Sequence, residues 1–235
     1  MSDKSSRVPL PEFEVIPLSP VRLAIAARVS QSAREIPQFS TRLTVDASRL
    51  VAARAKMKEE AAAGAVVPTF NDFFLLATAR TLKEHPGLNA WLEDDCLKIA
   101  KSVNVAFVAD TERGVLLPCI READKKSLEE IVAERSDLVG LCRSGKIRAS
   151  QQMGATFTVS NMGASGIDDF NAIISPPQVG ILAIGSIKPR PHAVGDKVEI
   201  RETVTLTLTV DHRAVDGVKA AAFLSSLARR LEEWE

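Results

Sequence analysis

Of the three histidines in this 235-residue chain, His212 has a setting that could do chemistry. It follows TVTLTLTV (203–210), where Thr205, Thr207 and Thr209 alternate with Leu206, Leu208 and Val210 in the two-residue period of a strand with one buried face. It stands between Asp211 and Arg213, with Asp216 and Gly217 just beyond. Histidine is the residue type that changes charge near neutrality, so at a rigid strand end beside a carboxylate it suits a general base. The same residues also fit a plainer arrangement, a core histidine closing the strand with Asp216 as the N-cap of the next helix. A lone His-x-x-x-Asp-Gly does not separate the two. His85, before Pro86 at a helix end, reads as a cap or surface residue, and His192, in the proline-rich KPRPH, as part of a structural loop.

The second constellation is TFTVSNMG (156–163), running on into Ala164, Ser165 and Gly166. Small and polar residues after a strand can cradle a ligand, and the Ser160 hydroxyl could donate to a developing oxyanion. An ordinary Asx-type turn explains the same residues without chemistry. No Gly-Lys-Ser/Thr and no Gly-x-Gly-x-x-Gly is present, which removes a phosphate loop, and no Gly-x-Ser-x-Gly elbow marks a nucleophilic serine. The pairs Asp94-Asp95 and Asp168-Asp169 read as solvated turns, and metal binding is not supported.

Around these residues the pattern alternates between helix and strand. Ser19 as N-cap and Pro20 at the first helical position open a helix through residue 35 that stops before Pro37. FSTRLTVD (39–46) reads as a short strand, and an alanine-rich helix from residue 47 ends at Gly64. Thr69 with Asp72 forms a capping box for a helix over 70–85, whose Phe70, Phe73, Phe74 and Ala77 make one apolar stripe. CLKIA (96–100), VNVAFVAD (103–110) and VLLPCI (115–120) are strands, with Thr111 to Gly114 as the turn between the last two. An amphipathic helix follows over 125–145, with Leu128, Ile131, Val132, Leu138, Leu141 and Cys142 inward and Gly145 as its stop. VGILAIGSI (179–187) is apolar enough for a strand buried on both faces. VEIRE (198–202) and TVTLTLTV predict a hairpin before a last helix with Phe223, Leu224, Leu227 and Leu231 inward. The expected fold class is α/β, a two-layer sandwich with a mixed sheet against helices, in which 1–17 form an extended arm and 18–235 one domain.

Composition narrows the function. Thirty basic and thirty acidic residues cancel, so no global field favours nucleic acid or an anionic membrane. Cys96, Cys119 and Cys142 are odd in number and widely spaced, which fits neither a disulfide framework nor a zinc site and suits a reducing compartment. With neither a signal-peptide pattern nor an apolar run long enough to span a bilayer, a soluble cytoplasmic protein is expected.

Taken together, TFTVSNMG, NAIISPPQVGILAIGSI and DHRAVDG resemble the catalytic domain of the 2-oxoacid dehydrogenase acyltransferases, the dihydrolipoamide acyltransferases. SPVRLAIAARVSQSAREIPQF, FNDFFLLATARTLKEHPGLNAW and READKKSLEEIVAE extend the likeness from about Leu18 to Leu231. Chloramphenicol acetyltransferase shares that fold and the His-x-x-x-Asp-Gly motif, and is less similar elsewhere. The resemblance implies a chloramphenicol acetyltransferase-like fold and acyl transfer, acetyl in the first instance, between coenzyme A and a thiol or hydroxyl. His212 would be the general base, Ser160 the hydrogen-bond donor to the tetrahedral oxyanion, and Asp216 a holder of the turn, with Arg22 or Arg28 as its buried partner. It implies a homotrimer with sites between subunits, coenzyme A or acetyl-CoA as substrate, and no metal. The sequence carries no lipoyl-lysine hairpin and no leucine-rich docking tail, and on that ground a free trimer is expected, its acceptor a small molecule or a dihydrolipoyl group. Three alternatives remain open at this point: an O-acetyltransferase acting on a natural-product hydroxyl such as a tetronate, a non-catalytic trimeric scaffold, and a chloramphenicol-type acetyltransferase.

Overall fold

The computed structural model describes residues 11–62, 65–112 and 114–234, and begins with an exposed stretch, 11–19, that is neither helix nor strand. Helix α1 (Pro20–Glu35) starts at the predicted cap, where the Arg22 backbone N–H donates to Ser19 Oγ at 3.2 Å. It ends before Pro37, and strand β1 (Gln38–Asp46) follows. Helix α2 (Ser48–Glu60) stops short of the alanine run; Gly64, its expected end, lies outside the described residues. Helix α3 (Phe70–Glu84) carries the capping box, with the Thr69 N–H and hydroxyl both donating to Asp72 Oδ2 at 2.7 Å.

The three β runs expected between residues 96 and 120 are shorter pieces. Asp94 and Asp95, at φ 52° and 57°, form a tight turn that pairs β2 (Ala90–Glu93) with β3 (Cys96–Ile99), and β2 was not anticipated. VNVAFVAD divides into β4 (Val105–Phe107) and β5 (Ala109–Thr111), and VLLPCI into β6 (Gly114–Leu116) and β7 (Cys119–Ile120). Pro118 explains the second break, since it has no N–H for a ladder and offers only its carbonyl, to the Phe107 N–H at 3.0 Å. β5 and β6 leave the main sheet as a separate ribbon. Arg113, in the expected turn between them, lies outside the described residues.

Helix α4 (Leu128–Ser144) has a Ser127–Glu130 capping box and Gly145 in the left-handed region at its end. Leu128, Ile131, Val132, Leu138 and Cys142 are buried as the period requires, while Leu141 is only half-buried. β8 (Phe157–Asn161), β9 (Gly180–Ile184), β10 (Lys188–Val194), β11 (Lys197–Asp211) and α5 (Gly217–Glu232) complete the chain. Here one expectation is corrected. VEIRE and TVTLTLTV do not form a hairpin; they are one continuous strand, β11, and its hairpin partner is β10, the stretch read as a proline-rich loop. Pro189 and Pro191 alternate along β10, so the positions without an N–H recur on one side of a strand bonded only to β11. His192 is therefore a strand residue, opposite Glu199.

The main sheet is seven-stranded, ordered β1-β11-β9-β8-β4-β7, with β10 extending beside β11. β8 runs parallel to both β4 and β9, and every other pair is antiparallel, so the sheet is mixed as expected. Leu206, Leu208 and Val210 of β11, with Leu182 and Ile184 of β9, join Leu50 of α2, Phe73 and Phe74 of α3, Ile131 of α4 and Phe223 of α5 in one apolar core. Alternation sends Ile181 and Ala183 to the opposite face, where they pack with Ile36, Ala172 and Ile174. The protein is thus an α/β sandwich with four helices on one sheet face.

Candidate active site

His212 owes its place to the β1–β11 ladder. Nine residue pairs run from Gln38 opposite Asp211 to Asp46 opposite Thr203, and the His212 N–H extends the ladder by donating to the Pro37 carbonyl at 3.0 Å. The backbone at His212 is therefore fixed while its side chain is exposed. The imidazole meets the Phe39 ring edge-on, with centroids 5.3 Å apart. Neither acid beside it is available to the ring. Asp211, 1% exposed, accepts from the Arg213 guanidinium at 2.6 and 3.0 Å and from the Arg213 backbone N–H at 3.0 Å. This pairing raises the Arg213 pKa.

Asp216 caps α5, its carboxylate accepting from the Lys219 backbone N–H at 3.0 Å with the Lys219 ammonium at 3.5 Å. That backbone bond, aided by the nearby charge, holds its carboxyl below the usual range. The expected arginine partner is not found among the described residues. Arg22 is exposed, and the Arg28 guanidinium instead donates to the Pro176 carbonyl, beside a cavity of about 360 Å³ lined also by Glu35, Glu93, Asp211 and Arg213.

Ser160 is positioned by packing rather than by an open strand end. It is 8% exposed on β8, between β4 and β9, and its hydroxyl makes no hydrogen bond among the described residues. Val159 points into the helix-side core, so Ser160 points to the other face, as does Thr158, whose hydroxyl donates to Gln178 Oε1 at 2.7 Å. The chain then closes on itself. Asn161 Oδ1 accepts from the Gly163 N–H at 2.7 Å, an Asx turn, and Ser186 Oγ bonds the carbonyls of Gly163 and Ile167 at 2.9 and 2.8 Å. At Gly185 an added Cβ would lie 1.9 Å from the Asp168 carbonyl oxygen, so the segment after Ser160 can lie against β9 only because residue 185 has no side chain. Asp168 is no free turn residue either: Lys188 at 2.6 Å and Arg190 at 2.9 Å pair with it and lower its pKa, and Arg42 pairs with Asp169 at 3.3 Å.

The two halves do not meet. Ser160 is level with Ala183, and Ala183 with Thr207; from Thr207 to His212 is five residues along β11. At about 3.3 Å per residue and about 4.8 Å per strand step, the two backbones are on the order of 19 Å apart. One small reacting centre cannot touch both within a single chain. Of the other residues weighed from sequence, His85 is the α3 C-cap, bonded to Ser226 Oγ at 3.0 Å. Burial pushes the Cys119 thiol up to about 12, which leaves it unreactive. Among the described residues no group of three or more His, Cys, Asp or Glu could hold a metal ion, and no helix is long and apolar enough to cross a membrane.

The profile of the 2-oxoacid dehydrogenases acyltransferase (catalytic domain) family matches residues 10–235. This chain belongs to that family. A relative from Zymomonas mobilis, the dihydrolipoyllysine-residue acetyltransferase component of pyruvate dehydrogenase complex, is 34% identical over 218 residues, covering 93% of this chain and 50% of that protein. This acyltransferase chain spans about half the length of the curated relatives it matches. Among solved structures, Azotobacter vinelandii dihydrolipoamide acetyltransferase superposes with a TM-score of 0.91 at 31% identity, covering 97% of this chain and 98% of that one. It was investigated for the role of a serine, a histidine and an asparagine in its catalytic mechanism. The cubic core of the pyruvate dehydrogenase multienzyme complex matches with the same TM-score, identity and coverage. The acyltransferase fold and class expected from the sequence are therefore those of this chain.

Proposed function

We propose that this acyltransferase domain moves an acetyl group between coenzyme A and a dihydrolipoyl thiol, with His212 as general base and Ser160 as oxyanion donor. One observation carries the reading. Ser160, His212 and Asp216 follow one another at the same spacing as the serine, histidine and asparagine investigated in the Azotobacter enzyme, with an aspartate in the third place. His212 takes the proton from the acceptor thiol, and the thiolate attacks the carbonyl carbon of the acetyl thioester. The Ser160 hydroxyl donates to the oxygen as it becomes negative; one such donor contributes about 3 to 4 kcal/mol. Collapse breaks the bond to the coenzyme A sulfur, which receives the proton back from the imidazolium. No acyl-enzyme forms, and no metal is needed. Asp216 acts by capping α5 and fixing the turn beyond His212 rather than by moving protons.

The separation of Ser160 from His212 supports a site shared between copies, in which His212 of one copy faces Ser160 of the next. A contact joining two different ends of the molecule is heterologous, and where its rotation closes it makes a ring; in this reading the ring is a homotrimer. Residues 18–235 supply the catalytic unit, and cytoplasmic location remains part of the same reading. Two measurements test it. Acetyl transfer from acetyl-CoA to free dihydrolipoamide should be efficient, and coenzyme A binding without such transfer would move the acceptor to a hydroxyl compound. Light scattering should give a multiple of three times 25.4 kDa, and a stable active monomer would sink the shared site.

A further inference from the structure

We propose that Phe39 is the positioning residue for His212, holding the imidazole in the orientation the base needs; this rests on the acyltransferase reading above. A general base has to be oriented as well as placed, and a third group bonded to its second ring nitrogen usually does this. Here no such group is found among the described residues. The His212 side chain makes no hydrogen bond among the described residues. Asp211 is committed to Arg213, and Asp216 to the α5 cap. The Pro37 carbonyl fixes the His212 backbone, which leaves only the two side-chain torsions free.

The Phe39 ring is placed to restrict them. Phe39 pairs with Val210 across the ladder, so His212, two residues on, is its diagonal neighbour on the same sheet face, within reach of an aromatic ring. The two rings stand at 74° with centroids 5.3 Å apart, the edge-to-face geometry aromatic pairs prefer. The Phe39 ring also lies against Gly217, where a Cβ would sit 3.7 Å from its edge. The ring thus touches both ends of the His-to-Gly segment, on a strand fixed by nine cross-strand pairs. Phe39 is itself 36% exposed, so its restraint comes from these contacts and from its strand, and a bulky ring on a fixed backbone limits the rotamers open to an exposed neighbour.

The test uses Phe39→Ala, Phe39→Leu and Phe39→Tyr in the assembled protein, with two readouts. The first is steady-state acetyl transfer. Phe39→Ala should lower kcat about 10- to 100-fold with KM for acetyl-CoA within about twofold, because the base is misaimed while substrate binding is untouched. Phe39→Tyr, which keeps the ring, should recover kcat to within about threefold. Phe39→Leu retains apolar bulk against α5 and so remains folded if the alanine variant does not; it should still lose kcat about fivefold or more. The second readout is the His212 imidazole resonances, identified by their loss in His212→Ala, which should move in the alanine and leucine variants and stay near the wild type in the tyrosine variant. Retention of kcat within twofold in both Phe39→Ala and Phe39→Leu, or unmoved imidazole resonances, overturns the proposal. If the wild type transfers no acetyl group, the acyltransferase reading falls, and the resonances alone then decide whether Phe39 orients the ring.

Discussion

The two ends of the sheet that carry His212 and Ser160 are built on opposite plans. His212 stands exposed past the last rung of an antiparallel ladder, placed by register and touched by one aromatic ring. Ser160 is almost fully buried between two parallel neighbours, and the turn after it closes against Gly185 with no room for a methyl group. A base that accepts a proton from an incoming thiol benefits from access. A donor that stabilises developing charge benefits from a fixed, dry setting, where reorganisation at the moment of reaction is small. The difference fits the division of labour proposed for the two residues. It also places the tolerance to mutation differently: substitution of His212 should cost activity without structure, whereas the segment packed on Gly185 after Ser160 should lose structure when its close approach is blocked.

The largest expected effect is at the exposed end. His212→Ala should lower turnover about 10³- to 10⁴-fold with an unchanged thermal midpoint, since the side chain supports no packing beyond one ring contact. A collapse of folding instead would return His212 to the role of strand closer. Ser160→Ala should lower kcat about 10²- to 10³-fold, read from single-turnover rates, with the fold retained because no hydrogen bond among the described residues is lost. The glycines sharpen the contrast. Gly185→Ala should destabilise by at least about 3 kcal/mol in denaturant unfolding, because backbone meets the new methyl group. Gly217→Ala, at the start of α5 with only ordinary contacts, should stay within about 1 kcal/mol of wild type. Equal tolerance at the two positions would erase the distinction.

The smallest effect concerns the cap. The Asp216 carboxyl titrates below the ordinary range in the folded protein, so its contribution is present above the unfolded value and fades as pH falls through the lowered one. Asp216→Ala should lower the thermal midpoint slightly at neutral pH, and the gap from wild type should close in acid. Asp216→Asn, an equally good cap, should keep the midpoint and lack that pH dependence.

Much of this was legible from residue types. Ser19-Pro20 and Pro37 bounded α1, Thr69 with Asp72 capped α3, and the alternation of Thr205 to Val210 marked the strand that carries His212. These signals are local, so sequence holds them. β10 was missed because its prolines read as a loop until one sees that it bonds only to β11. Asp168 looked solvated because Lys188 and Arg190 reach it from a strand twenty residues away. Phe39 stood inside a recognised strand, and nothing in its spacing pointed to His212. The distance from Ser160 to His212 was unreadable for the same reason: it is set by the register of β8 on β9 and of β9 on β11, which are pairings between distant segments.

The central claim, a site made from the His212 end of one copy and the Ser160 end of another, is tested most directly by mixing two dead variants. His212→Ala and Ser160→Ala are co-expressed with different affinity tags, the mixed assemblies isolated, and acetyl transfer measured against each parent alone. Sites between copies should restore about a third of wild-type activity in the isolated mixed trimers, because in every trimer holding both variants one junction of the three joins an intact His212 to an intact Ser160. Mixed assemblies no more active than either parent would mean that both residues serve one chain, and would contradict the shared site.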